Sequence, residues 1–504
     1  MNGYGCAGSK RAILMMGLAA LCLPLAVLFP LHAQFNGQVK KAIVYADLSA
    51  EVRAWFEKEG ISRDRFTGYI DSINERTAER ELDGEYDHLI YFLLQSERFT
   101  GRPKIEPALS AAEFVKGLSE AERSKYLAEG SNFIPSSEKV PGAVRARIND
   151  FIKAQGEKSD DERLVYFKNL LTRTADSPTP GAFARRLDAE YARAMRFLYR
   201  KEFVSRGIEG AQLAAYVASL YEDRGHSTDT QIEANFAVYT ALASLKARSP
   251  AAQLHQVLIV GPGLDFAPRT ALIDRFGPQS YQPFAVADAL LSLKLAAPAA
   301  LRIHCVDINE RVIAHIQRLR LKSEATLAIF SGIDDNPRHP LTSDFKEYFR
   351  NLGRSLGAET EIEAPPELAS HLKKSVKIRR DQLEKITVDR LNIITERYQG
   401  TENKVDGNYD LVIVTNVFSY FNPAELLLAL TNIAAMMTEG GYLIHNELQK
   451  IPSPFIAPLG LPIKEARTVL IASGHGLPLF DGIAIHQKEK HRSGVNGQSS
   501  ALRN

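Results

Sequence analysis

Cysteine is almost missing from this 504-residue chain: there are three, and Cys6 and Cys22 both fall within the first 33 residues. Cys305 stands alone beyond them, which excludes an internal disulfide framework. Set in the apolar run LRIHCVD, it reads as a small core residue rather than a nucleophile. A surplus of one charge is missing too. With 62 Lys and Arg against 60 Asp and Glu, the net charge of +2 gives the whole chain no strong field for nucleic acid or an anionic membrane. His226, His255, His304, His315, His371 and His475 lack metal-ligand spacing, and no fixed-period repeat marks a solenoid. What is present is an ordinary globular composition, 45% hydrophobic and 24% charged, in a chain too long for one core.

The first 33 residues do not read as fold. Lys10 and Arg11 give a positive start, residues 12–29 are apolar apart from the breaks at Gly17 and Pro24, and Ala33 supplies a small residue before Gln34. That order predicts a signal peptide and an exported protein, periplasmic or extracellular. Two alternatives stay open: an uncleaved anchor giving membrane association through residues 12–31, and a start at Met15 or Met16 that leaves the chain cytoplasmic. Leu21 is too bulky for lipid attachment at Cys22.

From 47 to 245 apolar residues recur at three- and four-residue spacing, as in Leu89, Phe92 and Leu93 or Tyr191, Met195, Leu198 and Tyr199, which predicts helices. Loops are expected at Gly101-Arg102-Pro103, at Pro135-Ser136-Ser137 and across SPTPG at 177–181. The last helix should start at Ser227, Thr228 or Asp229 and carry Ile232, Phe236, Val238 and Leu242. After residue 250 short apolar runs alternate with helical segments: 257–260, 301–306, 391–395, 411–414, 442–444, 468–472 and 483–486. The last two flank SGHGLPLFDG, which has no room for a helix and predicts an antiparallel hairpin at one edge. The expected fold class is α/β: a doubly wound, mainly parallel seven-stranded sheet with an antiparallel edge hairpin, preceded by an all-α N-terminal domain. Residues 34–249 are the helical accessory domain and 250–488 the Rossmann-like domain; 317–389 form a substrate-facing insertion, and 489–504 a disordered polar tail.

In VLIVGPGLD a buried strand runs directly into Gly261-Pro262-Gly263, where missing side chains let a ligand approach the backbone at the next helix's start; a structural turn explains it as well. A dinucleotide site would prefer G-x-G-x-x-G, and Phe266 at the third glycine position argues against NAD. VDIN closes the next run, and there Asp307 can accept hydrogen bonds from vicinal ribose hydroxyls, while Asn309 caps the following helix. The gap between these motifs is roughly twice that of a minimal Rossmann unit, the excess lying in PQSYQPFAVADALL, an extra turn and helix. The most specific pattern is YDLVIVTNVFSYF, then AELLLALTNIAAMM, then TEGGYLIHNE.

Taken in order, the glycine turn, Asp307, the Asp-initiated strand with its aromatic loop, the helix and the Gly-Gly turn resemble class I methyltransferases, whose antiparallel edge strand the terminal hairpin also matches. The resemblance implies S-adenosylmethionine as cofactor and methyl transfer to an acceptor, small molecule or protein, that it does not name. It implies that Gly261 and Gly263, with Pro262 between them, lie against the methionyl part and that Asp307 holds the ribose hydroxyls. Ile308 would then pack on the adenine, Glu396 meet the adenine amine and Asn416 sit beside the methyl donor. For Glu396 a surface pairing with Arg397 is the competing reading. Because a sulfonium is already activated, alignment outweighs covalent help and no triad is expected. Tyr420, Asn416, His445 and Glu447 are candidates for the acceptor side, although Tyr420 also reads as a core aromatic and His445 as a satisfied strand residue. Lys373, Lys374, Lys377, Arg379 and Arg380 read as a solvated face beside Asp381 and Glu384, and 224–230, where this fold often contributes a lid, as a plain helix cap. The alternative function is an exported, non-catalytic Rossmann-like binding protein using the same cleft.

Overall fold

Capping residues set most helix starts in the N-terminal half. The computed structural model describes residues 39–264, 272–399, 408–448, 453–474 and 479–489. The expectations for the first 33 residues, Phe266, His475 and the tail from 490 lie outside them. A short strand β1 (Val39–Ala42) leads into α1 (Ala50–Lys58), α2 (Arg63–Gln95), α3 (Pro107–Lys116), α4 (Glu120–Leu127), α5 (Gly142–Ala154), α6 (Glu162–Thr174), α7 (Pro180–Tyr199), α8 (Gly210–Asp223) and α9 (Ile232–Arg248). Side chains of Ser49, Ser119, Asp161 and Thr179 accept first-turn N–H groups of α1, α4, α6 and α7. Thr179 with Pro180 at the first helical position makes the end of SPTPG a helix start rather than a loop. The helical periodicity buries as expected: Leu89, Phe92 and Leu93 of α2 meet Tyr191 and Met195 of α7 around Phe114, Phe151 and Phe167.

Helix α9 departs from expectation. It begins at Ile232, beyond the Ser, Thr and Asp that read as its cap; of these Thr228 is bonded instead to Leu264 at the glycine turn described below. Its Phe236, Val238 and Leu242 are buried in one cluster with Val257 and Ile259 of the sheet, so α9 belongs to the sheet's packing layer and not to a separate accessory domain. The described residues belong to one compact unit.

The second half runs β2 (Gln256–Val260), α10 (Gln282–Ser292), β3 (Arg302–Asp307), α11 (Glu310–Arg320), β4 (Glu324–Asp334), α12 (Ser343–Asn351), β5 (Gly357–Thr360), β6 (His371–Arg379), β7 (Ile386–Arg390), β8 (Glu396–Gln399), β9 (Tyr409–Val414), α13 (Pro423–Met436), β10 (Met437–His445), β11 (Ile463–Ala472) and β12 (Leu479–Gln487). Seven strands form one sheet in the order β7-β3-β2-β9-β10-β12-β11. Pairing is parallel from β7 to β10 and antiparallel across β10–β12 and β12–β11. Val257, Leu258 and Ile259 are wholly buried, as continuous apolar runs are in parallel strands covered on both faces.

Two expectations need correction. The third strand of the parallel set is β7, and the apolar 391–395 run that read as a strand is a buried turn, with the side-chain amide of Asn432 donating to the carbonyls of Ile393 and Ile394. A short apolar run cannot by itself tell a strand from a buried turn. The insertion, secondly, does not face the cleft. Its β4, β6 and β5 form a separate antiparallel sheet, and Phe345 and Tyr348 of α12 pack on Phe236 of α9, with ring centroids at 5.4 and 5.3 Å. The basic run on and after β6 is paired at its surface, Lys377 with Glu324 at 3.3 Å, Arg379 with Asp381 at 3.1 Å and Arg380 with Glu384 at 2.7 Å.

Candidate active-site cleft

Where β2, β3, β7 and β9 end, the chain leaves a cleft at the point where strand order reverses, the usual ligand crevice of an open α/β sheet. Its floor is the glycine turn. Gly261 and Gly263 have φ of +67° and +75°, which side chains rarely adopt. A Cβ on Gly261 would stand 2.7 Å from Val417, and one on Gly263 2.9 Å from Thr230. The turn is therefore bare for packing as well as for access. Thr228 reaches across it, its carbonyl accepting the Leu264 N–H at 2.7 Å and its hydroxyl donating to the Leu264 carbonyl at 3.1 Å. The 224–230 stretch thus lies on the turn, and the helix-cap reading is corrected.

Asp307 ends β3 at the cleft wall. Its carboxylate accepts the Asn309 N–H at 2.9 Å, and enclosure by protein raises the carboxyl to about 7 despite that bond and one from the Ile308 N–H. Asn309 caps α11, as read, and also donates to Glu85 of α2 at 2.5 Å.

The loop after β9 forms the opposite wall. Asn416 is exposed and holds a left-handed φ of +57°, an uncommon conformation for a residue other than glycine and one that clusters at functional sites. Asn446 fixes it: the Asn446 side-chain carbonyl accepts the Asn416 N–H and its amide donates to the Asn416 side chain, both at 2.9 Å. Glu447 lies behind the loop and does not line the cleft. Its carboxylate accepts the N–H groups of Phe418 at 2.8 Å and Ser419 at 2.5 Å, and burial raises its pKa. His445 is also a support. Its Nδ1 accepts the Glu447 N–H at 3.2 Å, which leaves Nε2–H to donate to His486 Nε2 at 2.9 Å, and His486 Nδ1–H to donate to the Leu461 carbonyl at 2.7 Å. Tyr420 lines the cleft, its phenol accepting the Ser227 N–H at 3.4 Å.

Helix α2 roofs this space, a feature the sequence reading missed. Thr77 and Glu81 line the cleft from above, and both rims hold the helix. On one rim Asn74 accepts from Thr395 at 2.8 Å and from Asn392 at 3.1 Å. On the other Arg80 donates to the carbonyls of Tyr420, Arg224 and Tyr221 at 2.8 to 2.9 Å, and Arg76 pairs with Glu425 at 2.5 Å. Of the residues expected at a cofactor, Gly261, Gly263, Asp307, Ile308 and Asn416 line this one cleft. Pro262 and Glu396 do not. Glu396 opens β8, which pairs with β1, and Arg397 beside it bonds Asp47 at 2.8 Å; Ile393 and Ile394 take that wall of the cleft instead. His226, a further lining residue, lies a whole helix ahead of the glycine strand, and its sequence surroundings gave no signal of a place in the cleft. Among the described residues no group of three or more His, Cys, Asp or Glu is placed to hold a metal.

Numbered by sequence, the seven strands lie 3-2-1-4-5-7-6, with only the seventh running against the sheet. A dinucleotide-binding sheet would read 3-2-1-4-5-6 without that inserted strand. The fold is that of class I methyltransferases. No family model matches this chain, and no curated protein does. Solved structures overlap it shallowly. The N-methyltransferase NodS of Bradyrhizobium japonicum, solved with S-adenosyl-l-homocysteine, is 13% identical with a TM-score of 0.25, over 50% of this chain and 86% of its own. A magnesium protoporphyrin IX methyltransferase from Synechocystis, with bound SAM, is 10% identical at a TM-score of 0.24, over 58% and 94%. The CurJ carbon methyltransferase spans 83% of this chain and 98% of its own, at 12% identity and a TM-score of 0.28. The fold class stands on the strand order.

Proposed function

We propose that the protein is an S-adenosylmethionine-dependent methyltransferase. The single observation that carries this is Asp307: an acidic side chain ending the second strand, beside a bare glycine turn, with acceptor capacity left for a pair of ribose hydroxyls. The surroundings fit the same ligand. Ile308, Ile393 and Ile394 supply apolar wall for a purine, the turn offers backbone for a methionyl chain, and α2 limits water above both. When bound, the cofactor supplies an activated methyl group; the protein's own part is to align, to exclude water and to receive a proton where the acceptor has one.

Thermal shift assays test the reading. S-adenosylmethionine and S-adenosylhomocysteine should raise the unfolding temperature, and NAD and ATP should not. Stabilisation by NAD with none by S-adenosylhomocysteine would overturn it.

For residues 12–31 we propose an anchor that leaves the cleft on the side where S-adenosylmethionine is made, in preference to export. Among the described residues no helix is long and apolar enough to cross a membrane. Cell fractionation with N-terminal sequencing decides: a full-length chain in the membrane fraction supports the anchor, and a cleaved exported chain contradicts it.

A further inference from the structure

His226 lines the cleft, yet neither of its ring nitrogens has a hydrogen-bond partner, and both are shut off from solvent. An unsatisfied buried polar side chain of this kind is costly in an empty protein and asks for an explanation. Its backbone is fixed, with the N–H donating to the Arg80 carbonyl at 2.7 Å. Its ring stands edge-on to Tyr420, centroids 5.4 Å apart, on the wall that also carries Asn416. The charged groups facing it are Arg76 and Arg80 of α2, and Tyr420 is the titratable neighbour from the β9 loop. Burial, then those two guanidiniums, hold the imidazole well below its ordinary pKa, so it is neutral, with one nitrogen bearing hydrogen and the other a free acceptor.

We propose that His226 takes the proton released by methyl transfer, and that the acceptor is a neutral O–H or N–H nucleophile; this rests on the methyltransferase reading above. As the nucleophile's lone pair closes on the methyl carbon, the carbon–sulfur bond breaks with its electrons left on sulfur, and the O–H or N–H proton passes to the free ring nitrogen. One positive charge leaves sulfur as one arrives on the imidazole. The total charge in the cleft is unchanged, which offsets the penalty that Arg76 and Arg80 set on a protonated ring. A carboxylate or thiolate acceptor would bring its lone pair without a proton and leave His226 as unpartnered as it stands.

The test uses sinefungin, an analogue with an amine where the methyl-bearing sulfonium would be, beside S-adenosylhomocysteine, which has nothing there. In His226→Leu, which keeps bulk and removes both nitrogens, sinefungin should lose about tenfold or more in affinity while S-adenosylhomocysteine stays within about threefold. Equal losses for both ligands, or none for either, overturn the proposal. If the variant does not fold, nitrogen NMR of the wild-type protein reads the same contact: the His226 ring signal should move with sinefungin and not with S-adenosylhomocysteine. A signal that is the same in both complexes overturns it. Wild-type protein that binds neither ligand overturns the methyltransferase reading together with this one, whereas binding with a silent His226 overturns this one alone.

Discussion

A Cβ on Gly84 would stand 1.8 Å from the carbonyl oxygen of His226, so the roof helix α2 and the segment lying on the glycine turn touch backbone to backbone. No rotamer change relieves a clash between two main chains. Gly84→Ala should therefore cost about 1–3 kcal/mol, read from the urea midpoint, and weaken S-adenosylhomocysteine binding by unseating the roof. A neutral or stabilising effect, as helix propensity alone would give, contradicts the contact.

Asp307 gives the cleft a pH dependence of definite sign. Its carboxyl is raised from 3.8 to about 7 by burial, so its contribution to stability is full below the unfolded value and is lost as pH rises through 7. Cofactor binding runs the other way, because ribose hydroxyls donate to the ionised form and should bind more tightly as pH rises through that range. Asp307→Asn should flatten both curves in parallel titrations. A binding curve that keeps its slope in the variant would assign the dependence to another group.

The His445–His486 pair predicts an opposite, acid-side loss. His445 falls from 6.5 to about 3 through burial, so between those values the unfolded chain takes the extra proton and stability drops as pH falls. Replacing both by leucine removes two buried polar groups together and should make the denaturation midpoint less sensitive to acid from pH 6.5 down. Unchanged acid sensitivity in the double variant contradicts the neutral chain from Glu447 to Leu461.

Asn416 sits where side chains strain the backbone. A left-handed conformation is tolerated by Asn and Gly and costs a β-branched residue about 1–2 kcal/mol. Asn416→Val should thus be less stable than Asn416→Gly by about that amount in denaturant titrations. Equal stabilities would contradict the left-handed turn.

How much of this was legible depended on how local the cause was. The strand at 257–260, the turn after it and Asp307 were readable because a buried parallel strand, a positive φ and an acidic strand end each leave a mark within a few residues. The roof was not. Asn74, Arg76, Thr77, Arg80 and Glu81 are polar residues within one long helix, and only the tertiary fold makes their partners Asn392, Thr395, Glu425, Tyr420 and Arg390 neighbours. Glu396 was misplaced because the apolar 391–395 run was taken for the strand, which shifted the expected strand end by about five residues from Arg390. The insertion was visible as excess length, but its docking face is set by Phe236, Phe345 and Tyr348 meeting across more than a hundred residues.

Titration calorimetry with S-adenosylhomocysteine on the wild-type protein and on Asp307→Ala tests the central claim most directly. Micromolar binding by the wild type that is lost in the variant is the predicted result. No heat from well-folded wild-type protein, or equal affinity in Asp307→Ala, would contradict it.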